Sequence, residues 1–178
     1  MRLSKGLYVG GYIGGFLMSA VFFSIAPVPE RQVTLAVICQ MLGWVCLIGV
    51  ASLWCHLYYK AWEAIQDGYA RTTPAKAVGF LFIPFFMAYW WFQAIWGWAK
   101  DYNAYIDRHS IAAPRVSEGL FLAEVISRLC WIIPVVNVIA ILVTLILNPI
   151  MMAKICNAVN ALHLGEEQGE IVPAVQQV

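Results

Sequence analysis

Residues 119–162 are apolar almost without interruption, and Glu124, Arg128 and Lys154 are the charged side chains within them. A membrane-crossing helix takes about 20 apolar residues, so this run is too long for one crossing. Pro134, within Ile132-Ile133-Pro134-Val135-Val136-Asn137, is the natural place to fold it into a hairpin, because proline lacks the amide a helix interior needs. Two earlier runs, 7–26 and 34–59, are each long enough to cross alone. With 12% charged residues, against about 25% in soluble domains, the chain cannot coat a water-facing surface. The reading is an integral membrane protein of all-α class. Its net charge of +1 shows no bias toward nucleic acid, which is not expected as a partner.

The basic flank Met1-Arg2-Leu3-Ser4-Lys5 ahead of 7–26 has the form of a secretory signal, with Ser24-Ile25-Ala26 resembling a small-residue cleavage site. Pro27 directly after Ala26 disfavours cleavage, so the segment reads as a retained first transmembrane helix. It carries two rows of small residues at four-residue spacing: Gly6, Gly10 and Gly14 in one, Gly11, Gly15 and Ser19 in the other. Residues four apart share a helix face, and small residues let a second backbone approach closely. Both rows are expected to pack against another helix of this chain, a second copy or a different protein. Pro27-Val28-Pro29-Glu30-Arg31 then turns the chain. The second span closes on Trp54, Tyr58, Tyr59 and Lys60, the aromatic-plus-cation signature of a membrane interface.

Residues 77–98 decide the topology. They are dense in aromatics, are broken by Pro84 after seven apolar residues, and lie between polar stretches at 62–76 and 100–118. If they cross the membrane, the ten Lys and Arg residues outside apolar runs divide five and five. If they dip in and return, Arg31 is outside and nine are inside: Arg2, Lys5, Lys60, Arg71, Lys76, Lys100, Arg108, Arg115 and Lys154. The positive-inside rule favours the second arrangement. It implies a polytopic helical protein with four full spans, at about 7–26, 34–59, 117–133 and 135–158, plus one proline-broken re-entrant or interfacial segment. Five spans is the alternative. Both termini then face the cytoplasm of a bacterial inner membrane, with 1–163 as one helical membrane domain and 164–178 as an acidic polar tail. Ile83-Pro84-Phe85-Phe86, Ala99-Lys100 and Asn103-Ala104 are echoed by Ile133-Pro134-Val135-Val136, Ala153-Lys154 and Asn157-Ala158. The echo suggests a degenerate duplication of a proline-broken hairpin.

The most informative chemistry is Glu124 and Arg128, four apart on one helix face and in the order that favours an ion pair. A charge in the bilayer core costs roughly 2.5–3.5 kcal/mol on insertion scales, so each is expected to be partnered. If the chain turns at Pro134, Thr144 lies as far after the turn as Glu124 lies before it, and Asn148 about one helical turn further. Glu124, Arg128, Thr144 and Asn148 are the candidate intramembrane polar cluster. Pro149 frees a backbone carbonyl that Arg128, Thr144 or a water could satisfy. Pro84, Pro134 and Pro149 are the expected helix breaks.

Other signatures are missing from the sequence. The five cysteines form no CxxC pair and read as small apolar side chains. No Walker loop, GxSxG elbow or HExxH is present. His56 and His163 could approach each other at the cytoplasmic face, but a shared side is too little for haem. No catalytic residue, metal site or cofactor is expected.

Gly68-Tyr69-Ala70-Arg71-Thr72-Thr73-Pro74, continuing through Lys76-Ala77-Val78-Gly79-Phe80-Leu81-Phe82-Ile83-Pro84-Phe85-Phe86, resembles a group of uncharacterised bacterial multi-pass membrane proteins. Some of these carry a small GYF-like domain ahead of the membrane part. The resemblance continues through Ala99-Lys100-Asp101-Tyr102-Asn103 and Ile155-Cys156-Asn157-Ala158 and covers roughly residues 57–162. The similar proteins tend to have asparagine after the paired phenylalanines, where this chain has Met87. The group has no established activity, so the resemblance implies the membrane class and little more. The expected function is a non-enzymatic accessory or scaffold subunit, with membrane lipids and other membrane-protein subunits as partners, or self-association through the first helix. One alternative is a small oligomeric channel or transporter using the polar cluster. Another is lipid, quinone or pigment binding in an aromatic crevice.

Overall fold

A computed structural model describes residues 2–25 and 33–175, with side chains over 2–24 and 33–164; the turn expected at 27–31 lies outside them. The described residues are helical throughout their regular elements, with no strand. A π-turn at Gly6–Gly10 leads into α1, Gly11–Ile25. α2 is Val33–Glu63. α3, Pro74–Gly79, ends in a 3-10 turn at Phe80–Phe82. α4, Phe86–Trp91, continues through a π-turn at Phe92–Trp96 into α5, Gly97–Arg108. α6 is Glu118–Cys130 and α7 is Asn137–Val175.

Among the described residues, three helices are long and apolar enough to cross a membrane: Gly6–Ser24, Val33–Glu63 and Asn137–Leu164. The fourth full span expected at 117–133 is represented by α6. Its 13 residues give about 20 Å of helix against about 30 Å of hydrocarbon. The straight helix through 77–98 that five spans would need does not form either. The chain reverses at Pro84: the Phe80 ring packs on Trp90 at 4.8 Å and on Phe86 at 5.7 Å, and the Trp90 indole donates to Ala77 O at 3.0 Å. The tip is a γ-turn, with Phe85 at φ 62° and Phe86 N–H donating to Pro84 O at 2.7 Å. The acidic stretch expected as a separate tail continues α7, whose backbone stays helical to Val175.

α1 and α2 pack antiparallel, and the two glycine rows part company there. A side chain at Gly11 or Gly15 would meet Leu53 at 2.7 Å or Val50 at 2.6 Å, and Ser19 is buried. At Gly10 and Gly14 nothing lies within 4 Å of where a Cβ would sit, and at Gly6 the nearest group is the Ser4 hydroxyl at 3.9 Å. One row is therefore spent inside the chain and the other stays open.

The densest core lies at the polar end of the spans. α2 is 31 residues long, about 46 Å, which is longer than the roughly 30 Å a crossing needs. Leu57 and Trp62 in its last turns meet Trp98 and Tyr102 of α5, Phe121 of α6 and Ile155 of α7, all fully buried. Indole groups lock this layer through backbone carbonyls: Trp62 donates to Ala94 O at 3.0 Å and Trp98 to Ala61 O at 2.9 Å. A buried indole must find an acceptor, so each of these bonds fixes the rotation of one helix against another. Asn103 acts as a peptide mimic, donating to Val116 O and accepting from Val116 N, both at 3.0 Å. Its counterpart in the sequence echo, Asn157, is exposed.

Candidate functional site

α6 begins where Ser117 caps it, its hydroxyl accepting from Leu120 N–H, with Glu118 in the first turn where the helix dipole favours an acid. That start places Glu124 and Arg128 on one face, and Arg128 Nε donates to Glu124 Oε1 at 2.9 Å. Glu124 is completely buried, whereas the Arg128 side chain keeps 16% of its surface. Arg128 Nη2 also donates to Asn148 Oδ1 of α7 at 2.9 Å. The same oxygen accepts from the Trp54 indole of α2 at 3.2 Å, and the guanidinium lies 4.9 Å from the Trp54 ring. One cation thus ties three helices together by an ion pair, a hydrogen bond and a cation–π contact.

Thr144 belongs to a second knot. Ser127 Oγ lies 2.8 Å from Thr144 Oγ1 and 2.9 Å from Ala140 O, and the Trp131 indole donates to Thr144 Oγ1 at 3.2 Å. Thr144 donates to Ala140 O at 2.9 Å. Each hydroxyl has one hydrogen, so with Thr144's hydrogen on Ala140, Thr144 Oγ1 is the acceptor for the indole. Glu124, Arg128 and Asn148 therefore come together directly, while Thr144 faces Ser127 rather than Glu124. Residues 131–136 are taken up by turns such as Ile133 N–H to Cys130 O and Val136 N–H to Ile133 O, and Ser127, seven residues before Pro134, meets Ala140, six after it.

α7 runs unbroken through Pro149, so of the three prolines expected to break helices, Pro84 and Pro134 mark reversals and Pro149 does not. Arg128 gives its hydrogens to Glu124 and Asn148, and Thr144 gives its own to Ala140. The carbonyl four residues before Pro149 receives neither. Trp54, Ser127 and Trp131 are members the sequence reading missed. Ser127 carried a signal, lying three residues after Glu124 on the same face. Trp54 read as an interface anchor, and only the packing of α2 against α7 turns its indole onto Asn148.

Beside the cluster an apolar crevice of about 280 Å³ is lined by Phe16, Val50, Trp54, Phe82 and Trp131, with Arg128 and Asn148 also on its wall. Three buried polar atoms, Glu124 Oε2, Tyr58 Oη and Thr72 Oγ1, have no hydrogen-bond partner among the described residues. At the polar end of the spans, His56 and His163 line one cleft, and His56 Nδ1 lies 2.7 Å from Tyr8 Oη. In the same layer Asp67 pairs with Arg108 at 2.6 Å. Burial alone would raise the Asp67 carboxyl, but Arg108, the Tyr69 amide and His109 outweigh it and hold it at about 2. The Tyr102 hydroxyl is pushed up to about 12 by burial. No family model, curated protein or solved structure matches this chain.

Proposed function

We propose that this chain is a non-enzymatic accessory or scaffold subunit of the bacterial inner membrane, packing against larger membrane proteins. The observation that supports it is the closure of the polar cluster. Arg128 answers Glu124 and Asn148 within the chain, so the ionic groups act as a lock between α6, α7 and α2. What faces outward is apolar, and the row of Gly10 and Gly14 has room for a helix backbone. Both termini are cytoplasmic in this reading. α1, α2 and α7 cross, α6 with its apolar turn 131–136 makes the remaining pass, and the Pro84 hairpin enters the bilayer and returns. Arg71, Arg108 and Arg115, each paired with an aspartate, lie on the polar helices and loops that this reading puts at the cytoplasmic face, where the positive-inside rule counts Arg and Lys residues rather than net charge. The resemblance of residues 57–162 to uncharacterised bacterial membrane proteins agrees with this and adds no activity. Purification in mild detergent should recover a stoichiometric membrane partner that Gly14→Leu releases without loss of helicity. A lone, monodisperse protein unaffected by Gly14→Leu would overturn the proposal.

A second reading, a small channel or transporter, draws on the unpartnered Glu124 Oε2. It requires flux across reconstituted liposomes that Glu124→Gln alters, and absence of flux under ion and proton gradients removes it. Occupation of the aromatic crevice by a quinone or pigment would be seen in the absorbance spectrum of the purified protein.

A further inference from the structure

A second cleft lies away from the polar cluster, where the apolar helices meet the polar ones. It measures about 660 Å³ and is walled by the N-terminal segment, the end of α2, α5 and α7. Two contacts build it. Asn160 clamps the backbone of Leu3, accepting from Leu3 N at 2.6 Å and donating to Leu3 O at 2.8 Å. Tyr8, stacked on His56, ties the same segment to α2.

The lining divides into two chemistries. Arg2, Lys60, His56 and His163 bring cationic or protonatable nitrogen, and Glu63 is the acid among the described lining residues. Leu3, Leu7 and Val159 form an apolar side, and Leu7 is 58% exposed at the start of the first span. Ser4 Oγ, also in the lining, accepts from Leu7 N–H, which leaves its own hydrogen to donate. Basic pockets at the ends of membrane helices suit phosphate headgroups, since the cation meets the phosphate while the adjoining wall stays in apolar surroundings.

We propose that this cleft is a binding site for a phosphate ester anion, with Arg2 and Lys60 meeting the phosphate, Ser4 donating to it, and the Leu3–Leu7 wall receiving the apolar part of an anionic phospholipid. Lys60 is held by Glu63 at 2.6 Å, with the two side chains 28% and 49% exposed. The carboxylate therefore competes with the anion, and the site is tuned by its neighbour. This inference rests on the membrane setting and is independent of whether the chain is a scaffold.

The test uses the full-length protein in nanodiscs of phosphatidylcholine alone or doped with phosphatidylglycerol, reading bound lipid by native mass spectrometry. Phosphatidylglycerol should be retained in preference. Arg2→Gln and Lys60→Gln should each weaken retention about fivefold, the scale of one surface cation on an anionic headgroup. Glu63→Gln should strengthen it, an opposite sign that misfolding cannot mimic. A second arm adds millimolar inorganic phosphate to the phosphatidylcholine discs. Saturable phosphate binding that Lys60→Gln abolishes also supports the site and assigns its supply to solution, whereas preference for phosphatidylglycerol that phosphate fails to displace assigns it to the bilayer. Equal retention of both lipids with no phosphate binding overturns the proposal, as does a preference that none of the three variants changes.

Discussion

The hairpin at Pro84 is closed by aromatic side chains, and the hairpin at Pro134 by ions and hydroxyls. Around Pro84 the rings of Phe80, Phe86 and Trp90 pack on one another and one indole reaches a carbonyl across the arms. Around Pro134 the arms α6 and α7 are held by Arg128 on Asn148 and by Ser127 on Thr144. Both tips end in an exposed apolar side chain, Phe85 at 96% and Val135 at 90%. The difference teaches which interactions tolerate error. Ring contacts are short-ranged and additive, so losing one leaves the others in place. A buried ion pair is all-or-none, because the surviving charge has no water to return to.

The largest expected effect follows from that asymmetry. Arg128→Ala leaves Glu124 buried and unpaired, which should cost about 3–5 kcal/mol of stability in detergent. Glu124→Ala should cost clearly less, because Arg128 keeps Asn148, Trp54 and a partly exposed position. Reversible unfolding in mixed micelles measures both. Equal losses would mean that Glu124 is reached by solvent and that the two hairpins do not differ in kind.

Much of this contrast was legible beforehand. The membrane class, the helical class, the Glu124–Arg128 pair and the reversals at Pro84 and Pro134 all follow from hydropathy, helix periodicity and proline chemistry. The partner of Arg128 was half legible. Asn148 was in the candidate group, but that Arg128 reaches Asn148 while Thr144 meets Ser127 depends on how α7 is rotated against α6, which periodicity does not encode. The same holds for α1, where two equivalent glycine rows were visible and only the approach of Val50 and Leu53 selects Gly11 and Gly15. Three full-length helices among the described residues match the expected spans, while α6 is shorter than the span expected at 117–133 because the reversal removes residues from its end.

In the Pro84 hairpin, Trp90→Phe keeps a ring against Phe80 and Phe86 and removes only the bond to Ala77 O. The loss should be about 0.5–1.5 kcal/mol, the net worth of one hydrogen bond, read in the same unfolding assay. A loss as large as that of Arg128→Ala would place the aromatic hairpin in the all-or-none class. The two tips separate by sign. Phe85 has φ 62°, a region that favours glycine, and almost no side-chain contact to lose. Phe85→Gly should therefore stabilise by about 1 kcal/mol in detergent. Val135 is not among the residues of positive φ, so Val135→Gly should lower stability by a few tenths to about 1 kcal/mol.

The smallest effect is expected from acid, and it falls on the first hairpin's base. Asp67, in the loop between α2 and α3, holds Arg108 at the end of α5, closing that hairpin from below. Its carboxyl sits at about 2 in the folded chain against the ordinary 3.8, so the unfolded chain binds a proton first as pH falls. A depressed carboxylate contributes its full stabilisation above the unfolded value and loses it through the folded one. Stability should be flat above about pH 4 and decline between there and about pH 2. The loss stays small because Arg108 is about a third exposed and salt screens a pair at the rim. Thermal melts of the parent and Asp67→Asn across that window isolate the contribution: the two curves should lie apart above pH 4 and converge toward pH 2. Curves that remain parallel throughout would show that Asp67 carries no such linkage and that the aromatic contacts close the hairpin unaided.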